Sequence, residues 1–229
     1  HAPTLARDAY AEQVAPQLAA DGAGLASVLQ YLSGLRDGTI EAIEADMARV
    51  VPEFRRIRAL PTKITARERV RITVDGQESW VDQVRDLTGA RFEVELADIG
   101  WTRADQLSEG TLLALGLVTV ARHRPPNLLL LDDIDKALHP VAQRELVKLL
   151  KALQQQNPAL QIIATSHSPF VLDELDATEV FVMGADGPGR SRVCRLDAHP
   201  TWPKRGQYMH PGEFWSVVGE GWVGQGTTP

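Results

Sequence analysis

The sequence predicts an α/β fold, a mainly parallel sheet flanked by helices, with a helical arm or insertion and some antiparallel strands. Three observations carry this reading. Leu128-Leu129-Leu130-Leu131 and Leu160-Gln161-Ile162-Ile163-Ala164-Thr165 are short apolar runs separated by an amphipathic stretch. That is the pattern of a βαβ unit, whose crossover is right-handed by default. Residues 112–121 form an apolar stretch broken by Thr119, too uniform for a surface helix and suited to an interior one. Residues 54–98 change character and alternate polar with apolar side chains, the period of half-exposed strands.

Composition sets the bounds. The chain has 229 residues, 44% hydrophobic and 24% charged, which excludes a disordered or fibrous protein. Its 30 acids against 24 Lys and Arg give a formal charge of −6. A domain-wide basic face for nucleic acid is excluded on that balance, and only a local patch is left. Cys194 is the single cysteine, so no intrachain disulfide forms; it reads as a small apolar packing residue in a reducing, cytoplasmic setting. No run reaches the roughly 18–20 apolar residues of a membrane span. Asp8 and Glu12 in a segment without an apolar core argue against a signal peptide. The chain begins His-Ala-Pro, so it is expected to be a processed or cut piece of a longer protein.

Along the chain, Leu25, Val28, Leu29, Leu32 and Leu35 recur at helical spacing, with Gly34 and Gly38 at the end. Ile40, Ile43, Met47 and Val50 continue the period until Pro52. Residues 1–52 are therefore expected to form the helical arm, and residues 53–229 the main lobe. Val70-Arg71-Ile72-Thr73-Val74 and Arg91-Phe92-Glu93-Val94-Glu95-Leu96 alternate as strands, Phe54-Arg55-Arg56-Ile57-Arg58 does so more loosely, and Asp75-Gly76 supplies turn chemistry. Leu128 to Leu131 should be a fully buried parallel strand. Pro140 suits a first helical turn, Leu146, Leu149, Leu150 and Leu153 line one face of that helix, and Asn157-Pro158 stops it. Met209-His210-Pro211-Gly212-Glu213-Phe214-Trp215 reads as a closing segment that docks on the core, and Trp202, Trp215 and Trp222 as core packing.

Three features carry chemistry. Asp132-Asp133 follows the leucine strand directly, at the edge where open α/β sheets bind ligands. One carboxylate suits Mg²⁺ with intervening waters, and its neighbour can orient or deprotonate a water; the alternative is a pair that starts a solvated loop. Thr165-Ser166-His167-Ser168-Pro169 follows the next strand. His167 there can donate to a phosphate oxygen, and Ser168-Pro169 has the form of a helix N-cap. Leu107-Ser108-Glu109-Gly110-Thr111 stands before the apolar helix; it can present N–H groups to an anion or serve only as a cap.

The order of the three resembles one group. Leu107-Ser108-Glu109-Gly110-Thr111 is similar to the signature motif of ABC-type ATPases, and Leu128 through Asp133 resembles a Walker B strand. Ile134-Asp135-Lys136-Ala137-Leu138-His139-Pro140 stands at the D-loop, and Thr165-Ser166-His167-Ser168 resembles the H-loop or switch. The pattern is that of the RecF/SMC/OLD-like, AAA-type ATPases, over roughly residues 100–185. The resemblance implies a partial P-loop NTPase fold, ATP and Mg²⁺ as cofactors, and a head-to-tail homodimer with two ATPs between the protomers. By position it makes Asp132 the Mg²⁺ ligand and Asp133 the catalytic acid that polarises water. The family most often has Glu at that place, one methylene longer. His167 would contact the γ-phosphate, and Ser108, Glu109, Gly110 and His139 join it as nucleotide-contacting positions. Ala137, Leu138 and His139 would line the dimer seam.

The P-loop itself, G-x-x-x-x-G-K-[ST], is not in the sequence. Gly184-Ala185-Asp186-Gly187-Pro188-Gly189-Arg190-Ser191 has the glycine spacing, but Ser191-Arg192-Val193-Cys194-Arg195-Leu196 after it alternates like a strand. Without a following helix the N–H cradle is missing, so this is expected to be a hairpin loop. The leading reading is the C-terminal half of an ATPase whose P-loop lobe lies upstream, inactive alone, acting in DNA transactions or anti-phage defence with DNA or an effector protein as partner. A second reading is a metal-dependent phosphoesterase or nuclease with Asp132, Asp133, Asp135, His139 and His167 as ligands. A third is a non-catalytic interaction module. Arg55, Arg56, Arg58, Lys63, Arg67, Arg69 and Arg71 make one strand region basic, as a solvated face or a DNA contact.

Overall fold

A computed structural model describes residues 2–9, 15–74 and 77–224. The chain packs as two units, His1–Pro126 and Asn127–Pro229. The boundary expected after residue 52 falls inside the first, between a helix and a strand. Among the described residues no helix is long and apolar enough to cross a membrane.

The first unit opens with α1 (Ala2–Leu5), α2 (Leu25–Leu35) and α3 (Thr39–Val50). The spacing read from the sequence is the packing face: Leu25, Val28, Leu29, Leu32, Ile43, Met47 and Val50 are all buried. Arg36 and Gly38 take left-handed backbone (φ 51 and 87), which closes α2 and turns the chain into α3. Asp46 on α3 is buried and accepts from Arg122 Nε at 2.7 Å, a charge pair that ties α3 to the last helix of the unit. Glu44 accepts from the Ile57 N–H at 2.7 Å, and burial pushes its carboxyl above the usual range.

Antiparallel strands were expected in short pieces. The structure instead makes one hairpin of β1 (Phe54–Val74) and β2 (Gln77–Leu96), with β3 (Gly100–Arg103) added beside β2. The expected Asp75-Gly76 turn lies outside the described residues. Only the base of the hairpin belongs to the core: Phe54, Ile57, Ala90, Phe92 and Val94 are buried. Beyond the Pro61–Ala90 pairing the ribbon continues with no buried residue among those described until Gly89 on the return strand. Neither face is fully buried there, so of this part only Val70–Val74 shows a clear alternation in the sequence. A short 3₁₀ turn then leads to α4 (Glu109–His123). Leu112, Leu115, Val118 and Thr119 are buried, as an interior helix requires.

The second unit contains the βαβ element. β4 (Leu128–Leu131) and β5 (Gln161–Ala164) are parallel, joined by α5 (Pro140–Gln156). Leu146, Leu149, Leu150 and Leu153 are buried along α5. The leucine strand departs from its expected full burial: Leu129 is 8% exposed, but Leu128 is 45% and Leu130 69% exposed. Alternate side chains leave a strand on opposite faces. Leu130 pairs with Ile163, which is 52% exposed, so one face of this two-stranded sheet stands open.

The rest of the unit is a second packing centre. After α6 (Pro169–Leu172), β6 (Phe181–Ala185) and β7 (Ser191–Arg195) pair as an antiparallel hairpin. The glycine-rich segment between them is the loop expected from its lack of a helix, with Gly187 and Gly189 at φ 90 and 70. α7 (Trp202–Arg205), α8 (Pro211–Val218) and α9 (Gly221–Gly224) close over it. Val182, Leu196, Phe214 and Val223 are buried there, and Cys194, Trp202, Trp215 and Trp222 pack around them. Asp173 Oδ1 accepts from the Gly212 and Glu213 N–H groups at 3.0 and 3.2 Å. Gly212 is required by this docking, because a Cβ would lie 1.9 Å from the Pro169 carbonyl oxygen.

Candidate functional site

The site is built at the C-terminal end of the β4–β5 pair. Parallel pairing sets Leu131 beside Ala164, so the residues that follow the two strands emerge next to one another. Asp132 and Asp133 leave β4; Thr165, Ser166 and His167 leave β5. One side chain joins them: Thr165 Oγ1 donates to Asp132 Oδ1 at 2.5 Å and accepts from the Asp133 N–H at 2.9 Å. The hydroxyl thus fixes the Asp132 carboxylate and the backbone that carries Asp133. Asp133 adopts φ 51, a left-handed conformation that non-glycine residues take at a cost. Asp132, Asp133 and His167 are all exposed, so the carboxylates and the imidazole face open space.

The two loops are fastened a second time. Asp135 Oδ1 accepts from Ser166 Oγ at 2.5 Å and from the His167 N–H at 3.2 Å. Ser168 caps α6 through the Phe170 N–H at 3.2 Å. The cap and the exposed histidine before it coexist. His139 stands at the N-cap of α5, its Nδ1 accepting from the Val141 N–H at 3.4 Å.

Ser108, Glu109 and Gly110 open α4 in the first unit. Ser108 Oγ accepts from the Thr111 N–H at 3.1 Å, so it caps the helix. That leaves the free N–H groups of the first turn and the positive end of the helix dipole at an exposed Ser108-Glu109 edge.

Among the described residues, no three His, Cys, Asp or Glu side chains gather where they could hold a metal ion. Asp135 is engaged by the switch segment rather than turned to a shared ion. The five-ligand metal centre of the phosphoesterase reading is therefore not formed. A smaller carboxylate set is enough for Mg²⁺, which commonly takes one or two carboxylates and completes its shell with water and substrate phosphates.

The sequence marks Thr165 and Ser166 only as loop members, Ser168 as a helix cap and Asp135 as a candidate metal ligand, and it gives Gln143 no role. Gln143 had one sequence signal. It lies three residues before Leu146 on the buried face of α5, where a polar side chain must find partners.

The family model described as "AAA domain, putative AbiEii toxin, Type IV TA system" matches residues 2–173. The phosphonates import ATP-binding protein PhnC of Thiobacillus denitrificans is 29% identical over 158 residues, which is 59% of this chain and 60% of that protein. The Septu protein PtuA of Bacillus thuringiensis is 37% identical over 59 residues, 26% of this chain and 14% of that protein. The chain thus spans less than two thirds of either relative. Among solved structures, an SMC ATPase studied for ATP-driven dimerization overlays on 80% of this chain at 15% identity and a TM-score of 0.48.

Proposed function

As this chain belongs to that AAA domain family, we propose that it is the C-terminal lobe of an ABC-type ATPase, completed by a lobe that carries the P-loop. The carrying observation is the Thr165 hydroxyl, which joins the acidic doublet after β4 to the segment after β5. It is supported by the open face at Leu128, Leu130 and Ile163. Apolar strands of a parallel sheet are ordinarily covered on both faces, and the missing lobe supplies that cover.

In this reading Asp132 holds Mg²⁺, with Thr165 setting the orientation of its carboxylate. Bound Mg²⁺ supplies neutralisation of charge on the β- and γ-phosphates. Asp133 orients and polarises the attacking water. Its side chain is one methylene shorter than glutamate, and the left-handed backbone at Asp133 sets where the carboxylate begins. His167 donates to a γ-phosphate oxygen. Ser108, Glu109 and Gly110 serve the nucleotide of a second protomer in a head-to-tail pair, with Ala137, Leu138 and His139 at the seam. DNA or an effector protein, in DNA transactions or defence against foreign DNA, is the partner that turnover serves.

Calorimetry on this chain and on the longer parent tests the assignment. We expect Mg·ATP to bind the parent at least about a hundredfold more tightly than the chain alone, since phosphate contacts worth several kcal/mol reside in the P-loop. Equal, tight binding by the chain alone would contradict it.

A further inference from the structure

We infer that Gln143 is a positioning residue that fastens the loop 133–139 to the switch segment 165–168, so that His167 follows any movement of that loop. The inference rests on the reading of these segments as parts of an ATP site. Gln143 lies on α5 and is 8% exposed. Its amide nitrogen donates to the Asp135 carbonyl at 3.0 Å and to the Leu138 carbonyl at 2.9 Å. Its amide oxygen accepts from Ser168 Oγ at 2.5 Å. The partners fix the orientation of the amide: two carbonyls demand the NH₂ group, and the hydroxyl then donates to the oxygen. Both ends of one side chain are thus used, one on each loop.

Its nearest replacements do not do this. Leucine would strand two carbonyls and take the acceptor from the Ser168 O–H, on a residue only 6% exposed. Glutamate would keep the hydroxyl and set a carboxylate against two carbonyls. Asparagine is a methylene short. The loop also holds two non-glycine residues in left-handed backbone, Asp133 at φ 51 and Ala137 at φ 60. Such conformations persist only where surrounding contacts impose them. Gln143 meets the loop at Asp135 and Leu138, on both sides of Ala137. Asp135 adds a parallel tie through Ser166 and the His167 N–H. A displacement at Ala137, Leu138 or His139 is thereby passed to His167 through short polar contacts within the second unit.

Hydrogen exchange on this chain tests the coupling without nucleotide. With Gln143→Leu, amides in residues 135–139 and 166–170 should exchange faster together, by about tenfold or more for the loss of buried hydrogen bonds. Amides in the middle of α5 should keep their protection. Gln143→Glu keeps the size and the Ser168 contact and should loosen both segments as well, which decides the matter if the leucine variant does not fold. Acceleration confined to 135–139, or none in the glutamate variant, overturns the coupling. In the ATP-hydrolysing parent, Gln143→Glu should lower kcat about tenfold with the Kd for ATP unchanged; an unchanged kcat overturns the positioning role. Absence of hydrolysis by the unmodified parent would instead overturn the functional reading and leave the exchange result standing.

Discussion

Thr165 shows how one hydroxyl organises a site. It donates to Asp132 and accepts from the Asp133 N–H, so neither acid is placed by its own strand alone. His199 shows the opposite case, an ionisable group used for packing. It stacks edge-on with Phe214 and Trp222, at centroid distances of 5.1 and 4.9 Å. Its Nδ1 accepts from the Thr201 N–H at 3.1 Å, which requires the neutral ring. Burial, and secondarily the charge of Arg205, hold its pKa below the ordinary 6.5. The unfolded chain therefore binds the proton more readily than the folded one. The stabilisation is full above about pH 6.5 and falls as the pH is lowered through that value. An NMR titration of the His199 ring should give a midpoint below 6.5, and His199→Gln should flatten the acid limb of stability. A midpoint at or above the ordinary value would contradict this packing.

At the scale of elements, legibility followed burial. α2, α3 and α5 each bury a stripe of apolar residues that is visible as a 3.6-residue period, and α4 is visible as a near-continuous apolar run. β4, β5 and the β6–β7 hairpin were visible from apolar runs and turn residues. The length of the β1–β2 ribbon was not. Its outer part places Lys63, Arg67, Arg69 and Arg71 among threonines and valines, and without a buried face only the short Val70–Val74 run keeps a strand's alternation. Arg69 and Asp82 lie 3.9 Å apart across the ribbon, both largely exposed, so such pairs add little stability. Replacing residues 64–87 with a two-residue turn should thus change the stability of the first unit by less than about 1 kcal/mol, because an isolated two-stranded ribbon adds little of its own. Chemical denaturation followed by the fluorescence of Trp101, whose ring lies under the Arg58 guanidinium, would check it; a loss of several kcal/mol would show that the ribbon supports the core.

For the whole molecule, motif order was legible and geometry was only partly so. The sequence set Asp132-Asp133 after one strand and Ser166-His167 after the next, and parallel pairing of those strands follows from the βαβ pattern. What the sequence could not show was the polar wiring behind the rim, because Gln143 and Asp135 act through tertiary contacts five to thirty-two residues apart. Nor could it show that Leu128 and Leu130 stand open; a leucine run reads as buried whether or not its cover belongs to the same chain.

The most direct measurement is steady-state ATP hydrolysis by the longer parent, unmodified and as Asp132→Ala. With Mg²⁺ present, the account predicts turnover by the unmodified protein and a loss of at least about a hundredfold in the variant, the scale of removing a transition-state charge contact. Equal turnover by the two proteins would contradict it.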